Sequence, residues 1–243
     1  MLRTELESYL ADYLKIHEFK DYAPNGLQVE GTEQIHKIVT GVTACQALID
    51  RAIECGADAI LVHHGYFWKS EPTQIIGMKR RRIKSLLIND INLFGYHLPL
   101  DAHDELGNNA LLGKLWGVEN IECRDLVRIG SLPEPMPIAD FVERVASTLN
   151  REPLHLEGGA ESVQTIAWCS GGAQRMISMV LDADVYISGE VSEDNAHISR
   201  EEGIHYLAAG HHATETLGIK ALGEHLAQTF DLEVEFIEIP NPV

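Results

Sequence analysis

Ala59-Ile60-Leu61-Val62-His63-His64-Gly65 is an apolar run that ends in two histidines and a glycine. Its first four residues read as a strand buried on both faces, and Ile53-Glu54-Cys55-Gly56-Ala57-Asp58 before it reads as a helix end and a tight turn. A helix leading into such a strand argues for βαβ units in a parallel or mixed sheet with right-handed crossovers. The two histidines then fall at the strand's C-terminal end, the edge of an open α/β sheet where loops diverge and ligands bind. Successive side chains on a strand face opposite ways, so His63 and His64 can share one ion only if the backbone turns at Gly65. The other solution gives each imidazole a different ion of a pair.

Outward from this run, residues 37–42 read as a neighbouring strand and 43–55 as the helix between the two. Asn92-Leu93-Phe94-Gly95-Tyr96 is another short strand, followed by His97-Leu98-Pro99-Leu100-Asp101. Residues 204–209 form a third, which runs into Gly210-His211-His212-Ala213-Thr214-Glu215, where His211 and Glu215 are spaced to share one face of a following helix. A single histidine at a strand end is ordinarily a hydrogen-bonded structural residue. Three strand ends that deliver imidazoles and carboxylates, with no thiolate among them, make a donor set suited to zinc, iron, manganese or nickel. The strand 184–188 ends in Gly189-Glu190, so Glu190 is a candidate general acid or base, or a partner that orients a ligand.

The remaining chain divides in two. Thr4 and Glu7 have capping-box spacing and open a first helix; residues 21–26 are a turn-rich loop before the strand 27–29. Tyr66, Phe67 and Trp68 lie in a loop that is either a hydrophobic lid or one wall of a pocket or subunit contact. His103 and His197 read as solvated surface residues. The prolines of 130–137 suggest a domain boundary. A second α/β pattern follows: helix 138–149, strand 163–169, the turn Ser170-Gly171-Gly172-Ala173 and helix 174–181. That turn is either an anion-holding junction or a plain tight βα turn, and Cys169 beside it reads as a core cysteine. Helices 191–203 and 213–230 and a strand 233–239 complete the chain. The echo between Val62-His63-His64-Gly65 and Gly210-His211-His212 suggests duplication. We therefore expect a first domain over 1–125 and a second over 126–218, with 219–243 a candidate to return to the first.

Composition limits the function. Against 37 Asp+Glu stand 19 Lys+Arg, a formal charge of −18 that repels nucleic-acid backbones and anionic membranes. The basic run Lys79-Arg80-Arg81-Arg82-Ile83-Lys84 is a local exception, either a solvated helix face or an anion contact. The four cysteines form no C-x-x-C pair, as expected for a reducing, cytoplasmic setting. No apolar run approaches the roughly 20 residues that span a bilayer.

Asp21 to Val29 with its Asn-Gly-Leu-Gln-Val core, Gly56-Ala57-Asp58 through Gly65, His97 through Asp101, Ile187-Ser188-Gly189-Glu190 and Gly210 to Glu215 together resemble the GTP cyclohydrolase 1 type 2-like, or Nif-three-like, family. The likeness runs over nearly the whole chain, in the short form without the inserted middle domain of longer relatives. It implies two intertwined three-layer α/β/α domains with mixed sheets and a metal site in the cleft between them. It also implies toroidal homohexamers and two divalent ions per chain, iron, zinc or manganese. The ligands it implies fall on His63, His64, Asp101, His211 and Glu215, with Glu215 as a bridge and His97 as a histidine near the metals. Asp194 stands about where many relatives have a histidine after the residues matching Gly189 and Glu190. The expected function is a dinuclear metal-dependent hydrolase acting by metal-activated water on a small nucleotide or related heterocycle, with Glu190 and His97 as catalytic candidates. The other class the resemblance allows is a metal-bearing regulatory or partner-binding toroid without turnover.

Overall fold

The computed structural model describes residues 1–243. In chain order it contains α1 (Arg3–Tyr13), β1 (Gly26–Val29), β2 (Lys37–Thr43), α2 (Gln46–Glu54), β3 (Ala59–His64), α3 (Gly77–Ile88), β4 (Asn92–Gly95) and α4 (Leu98–Ala102). Next come α5 (Asn108–Trp116), β5 (Glu119–Arg124), β6 (Val127–Pro137), α6 (Ile138–Leu149), β7 (Leu154–Leu156), β8 (Ser162–Trp168), β9 (Val185–Ser188), α7 (Glu193–Glu202), β10 (His205–Ala208), α8 (His211–Thr214), α9 (Thr216–Thr229) and β11 (Glu233–Phe236). The chain folds as two units, Met1–Gly107 with Gly218–Pro240, and Asn108–Leu217 with Asn241–Val243.

The first unit holds a mixed sheet in the order β1-β4-β3-β2-β11, with β1 antiparallel and the others parallel. Alternation along the strands decides its layers. Ile38, Leu61 and Phe94 pack against Leu6 and Leu10 of α1 and Leu222 and Leu226 of α9. Val39, Ile60, Val62 and Leu93 face the other way, onto Leu48, Ile49 and Ala52 of α2 and Ile83 and Leu86 of α3. The sheet is thus covered on both faces, and β3 is its central strand, which is why 59–62 is uninterrupted in its hydrophobicity.

The second unit's sheet runs β5-β6-β8-β9-β10-β7, with β8, β9 and β10 parallel and β5, β6 and β7 antiparallel. Trp168, Ile187 and Leu207 pack on Leu112 and Trp116 of α5 and Phe141 and Val145 of α6; Ala167, Tyr186 and Tyr206 cover the opposite face with Ile177 and Val180.

Four local expectations are corrected. The proline-rich 130–137 stretch is not a boundary but the second half of β6; Pro133 and Pro135 sit in a bulge between Ser131 and Met136, where no ladder donor is required. A division at 125/126 falls in the β5–β6 hairpin, both strands of which join the second sheet. Residues 174–179 form a 3₁₀ helix rather than an α-helix, and the helix read over 213–230 is broken at Glu215, where φ is −120° and ψ 9°.

Candidate metal centre

In the first unit, β3 delivers His63 and His64 and the β4–α4 junction delivers His97 and Asp101. His63 is buried; its Nδ1 donates to the Tyr96 carbonyl at 3.0 Å, and its Nε2 lies 3.5 Å from Asp101 Oδ2. His64 Nδ1 is 3.3 Å from Thr43 Oγ1, the residue opposite it on β2. Pro99 near the start of α4 suits a first helical turn, and this turn brings Asp101 back beneath His97, whose carbonyl accepts from Asp101 N at 3.2 Å. Possible ligand atoms of His63, His64 and His97 lie within 4.8 Å of one another.

Asp21, not singled out from the sequence, fixes the third imidazole. Its Oδ1 accepts from His97 Nδ1 at 2.9 Å and Ala23 N at 3.0 Å, and its Oδ2 from Leu98 N and Asn25 Nδ2, each at 3.0 Å. Burial alone would raise this carboxyl's pKa; the hydrogen bonds from His97, Ala23 and Asn25 and the charge of His97 outweigh it and hold the group well below the usual carboxylate range. Asn25 completes the loop by accepting from His97 N at 2.7 Å. A carboxylate on the Nδ1 side of an imidazole sets its tautomer and directs Nε2 outward, the arrangement usual for metal-binding histidines.

Gln28 of β1 supports the same region. Its Oε1 accepts from Tyr66 N at 2.7 Å and its Nε2 donates to Pro24 O at 2.8 Å. A Cβ on Gly65 would sit 2.1 Å from Gln28 Oε1, and one on Gly95 2.6 Å from its Nε2. Gly65 is therefore required for the close approach of Gln28. Trp68 meets His97 edge-on at 4.9 Å and leans on His64 at 5.7 Å, while Tyr22 meets His97 at 5.0 Å. The aromatic loop walls the imidazoles; Tyr66 packs inward and donates its hydroxyl to Ala44 O.

In the second unit, Glu190 follows β9 and His211 follows β10. His211 Nδ1 is 2.7 Å from Glu190 Oε1 and its Nε2 is 3.2 Å from Glu215 Oε2. Burial pulls the His211 pKa down, but Glu215 and Glu190 outweigh it and raise the value to about 9. Gln174 Nε2 holds the other Glu190 oxygen at 3.2 Å. The glycine-rich turn 170–173 explains how Glu215 is accommodated: a Cβ on Gly171 would lie 2.1 Å from Glu215 Oε1, and Gly171 N donates to Thr214 Oγ1 at 3.0 Å. The turn is built around a carboxylate-bearing side chain. Cys169 is buried in the core, as expected.

His197 is exposed on α7. His103 is not a solvated residue: it is half-buried against Tyr13 at 4.8 Å, and its Nδ1 accepts from Glu105 N and Leu106 N, each at 3.3 Å. Its ring satisfies backbone donors ahead of α5, which sequence polarity alone does not reveal.

Both units pin imidazole nitrogens and set carboxylates beside others, and they do so with buried groups whose desolvation must be offset by partners. The donors are nitrogen and oxygen, the carboxylate-bearing turn has space that a Cβ would fill, and no thiolate takes part. These residues fit a divalent metal of the zinc, iron or manganese kind.

The model of the Duf34/NIF3 (NGG1p interacting factor 3) family matches residues 1–242. The chain is 54% identical to the "GTP cyclohydrolase 1 type 2 homolog" of Escherichia coli strain K12 over 246 residues, covering all of both chains. Among solved structures, one described as protein ybgI, of unknown function, superposes with a TM-score of 0.97 at 53% identity, covering all of both chains. TTHA1606 from Thermus thermophilus does so with a TM-score of 0.94 at 37% identity, again over the whole of both chains. With the two mixed α/β sheets and the donors at their strand ends, these matches show that the chain belongs to the DUF34/NIF3 family.

Proposed function

We propose that His63, His64, Asp101, His211 and Glu215 serve two divalent ions per chain, iron, zinc or manganese, with Glu215 as the bridge, and that the loaded protein is a hydrolase of a nucleotide or related heterocycle. The observation that carries this reading is a construction present in both units. His63 and His211 each have Nδ1 held by an oxygen acceptor and Nε2 set beside a carboxylate, at 3.5 Å for Asp101 and 3.2 Å for Glu215. The name of the E. coli relative, a GTP cyclohydrolase 1 type 2 homolog, favours the heterocycle as substrate class.

Divalent ions held there would supply an activated water and polarise the bond it attacks. The chain's own residues do the rest. Asp21 holds the Nδ1 proton of His97, leaving His97 Nε2 as the proton acceptor; Glu190 holds the Nδ1 proton of His211. Trp68 and Tyr22 restrict water around His97. We further propose that the chain assembles as a toroidal homohexamer and works in the cytoplasm, in keeping with its four free cysteines. Light scattering should give the six-chain mass, and a monomer would contradict it. No helix is long and apolar enough to cross a membrane.

The test is turnover by the metal-loaded protein against GTP, modified nucleotides and cyclic amides. Metal-dependent ring opening, abolished by a chelator and by His63→Ala, supports the hydrolase. A metal-replete protein that turns over none of them favours the regulatory or partner-binding toroid instead.

A further inference from the structure

The turn that carries His211 is held from outside by residues with no assigned role. Gly210 has φ +98°, and a Cβ there would lie 2.6 Å from Arg151 Nε and 2.8 Å from its Cδ. The arginine side chain therefore lies directly on the glycine backbone. Arg151 Nε is buried without a hydrogen bond, so this is a packing contact, and the polar work falls to Nη1, which donates to the Pro242 carbonyl at 2.5 Å. One residue on, the main-chain oxygen of Val243 accepts from His212 N at 2.9 Å. That N–H stands at the start of α8, where the first amides have no partner within the helix. Asn241 Oδ1 accepts from Val243 N at 3.1 Å and fixes the segment's own bend.

We propose that Arg151 and the last residues of the sequence, Asn241–Val243, form a strap that positions the Gly210–His212 turn, and through it His211, for a divalent ion. These are positioning residues, since neither presents a donor of its own to the ion. The strap acts on both sides of His211: Arg151 presses on the residue before it and Val243 takes the amide of the residue after it. It fixes the backbone from which the imidazole reaches Glu215, while Glu190 fixes the ring. The proposal rests on the metal reading above, and its test separates the two.

The probe is Co²⁺, titrated into metal-free protein and followed by its visible d–d absorption. Wild type should saturate at two ions per chain. In Arg151→Ala, and in a variant lacking residues 241–243, the ion that depends on His211 should bind about 10–100-fold more weakly while the other is retained. Arg151→Lys keeps a donor for Pro242 O and an alkyl stem over Gly210, and should restore most of the affinity. Metal-free melting temperatures should stay close to wild type. Wild-type affinity for both ions in Arg151→Ala and the truncated variant would overturn the strap while leaving the metal reading intact. Loss of an ion that tracks a fall in metal-free stability, without rescue by lysine, would also overturn it, because the strap would then hold the fold alone. A wild type that takes up no Co²⁺ removes the metal reading and the strap together.

Discussion

The stretch α1 to β4 of the first unit and the stretch α6 to β10 of the second are built on one connectivity. In each, a helix precedes an edge strand, three parallel strands follow, and the edge strand pairs antiparallel with the last of them: β1 with β4, and β7 with β10. Val62 O accepts from Tyr96 N just as Ser188 O accepts from Ala209 N. This correspondence sets His63-His64 against Gly189-Glu190; the His97–Asp101 and His211–Glu215 pairs, both four residues apart at the start of a short helix, fall one residue out of step, His97 one residue past Tyr96 and His211 two past Ala209. The His-His echo visible in the sequence therefore joins residues that are not counterparts.

The difference lies in the orienting group. The second unit uses the residue at the end of β9 itself, Glu190, to hold His211. In the first unit that place belongs to His64, and the orienting carboxylate comes from the loop before β1 as Asp21. Asp21 is 3% exposed and accepts four hydrogen bonds, whereas Glu190 is 38% exposed and accepts from His211 and Gln174. One frame thus gives a tightly held donor set and a more open one.

The largest effect is expected from Glu215→Ala. A carboxylate can bridge two cations, a terminal imidazole only one, so this change should strip both ions while His63→Ala mainly removes one. Metal analysis decides, and full content in Glu215→Ala would end the bridging role. Asp21→Ala should rank next. It leaves two backbone N–H groups and Asn25 without their acceptor, at a cost on the order of 2–4 kcal/mol by thermal or denaturant unfolding, and weakens metal binding about 10–100-fold. Glu190→Gln should lower metal affinity about 10-fold with little loss of stability. It also removes one of the two carboxylates that raise His211, so in the metal-free protein this histidine should titrate below its present value of about 9. NMR titration of the ring protons measures it; an unmoved midpoint would contradict the orienting role.

The smallest effect concerns pH. Burial and the neighbouring His205, 3.0 Å away, lower the His155 pKa from 6.5. Its protonated form is therefore favoured by the unfolded chain. Above pH 6.5 there is no effect; as pH falls below it the unfolded state gains the proton first, and stability declines until the folded pKa is passed. His155→Phe should flatten that decline, and an unchanged slope in urea titrations across the window would refute the assignment.

Much of the first unit was legible because β3 and β4 are short apolar runs between clear turn signals, and because donor residues at strand ends stand out against them. Asp101 stood out as a carboxylate just past a strand end, and Glu215 by its four-residue spacing to His211. Asp21 and Gln28 were not, although both lie in a stretch that carried the family resemblance: their partners are up to 77 residues away, and nothing local marks a loop carboxylate as a histidine's anchor. The prolines of β6 misled for the opposite reason, since local chemistry that usually ends an element is tolerated in a bulge beside a paired strand. Gly171 was seen as a turn former, which its φ of +64° bears out; that the Glu215 carboxylate also leaves no room for a Cβ there was not visible, because only tertiary packing brings it near.

The claim that both units contribute donors to a pair of divalent ions is tested most directly by calorimetric titration of metal-free wild-type protein with Zn²⁺ or Mn²⁺ in buffers of different ionisation enthalpy. Two ions per chain should bind with release of a proton, because His211 must give up the Nε2 proton it holds beside Glu215. Binding of no ion, or of two ions with no proton released below pH 8, would contradict it.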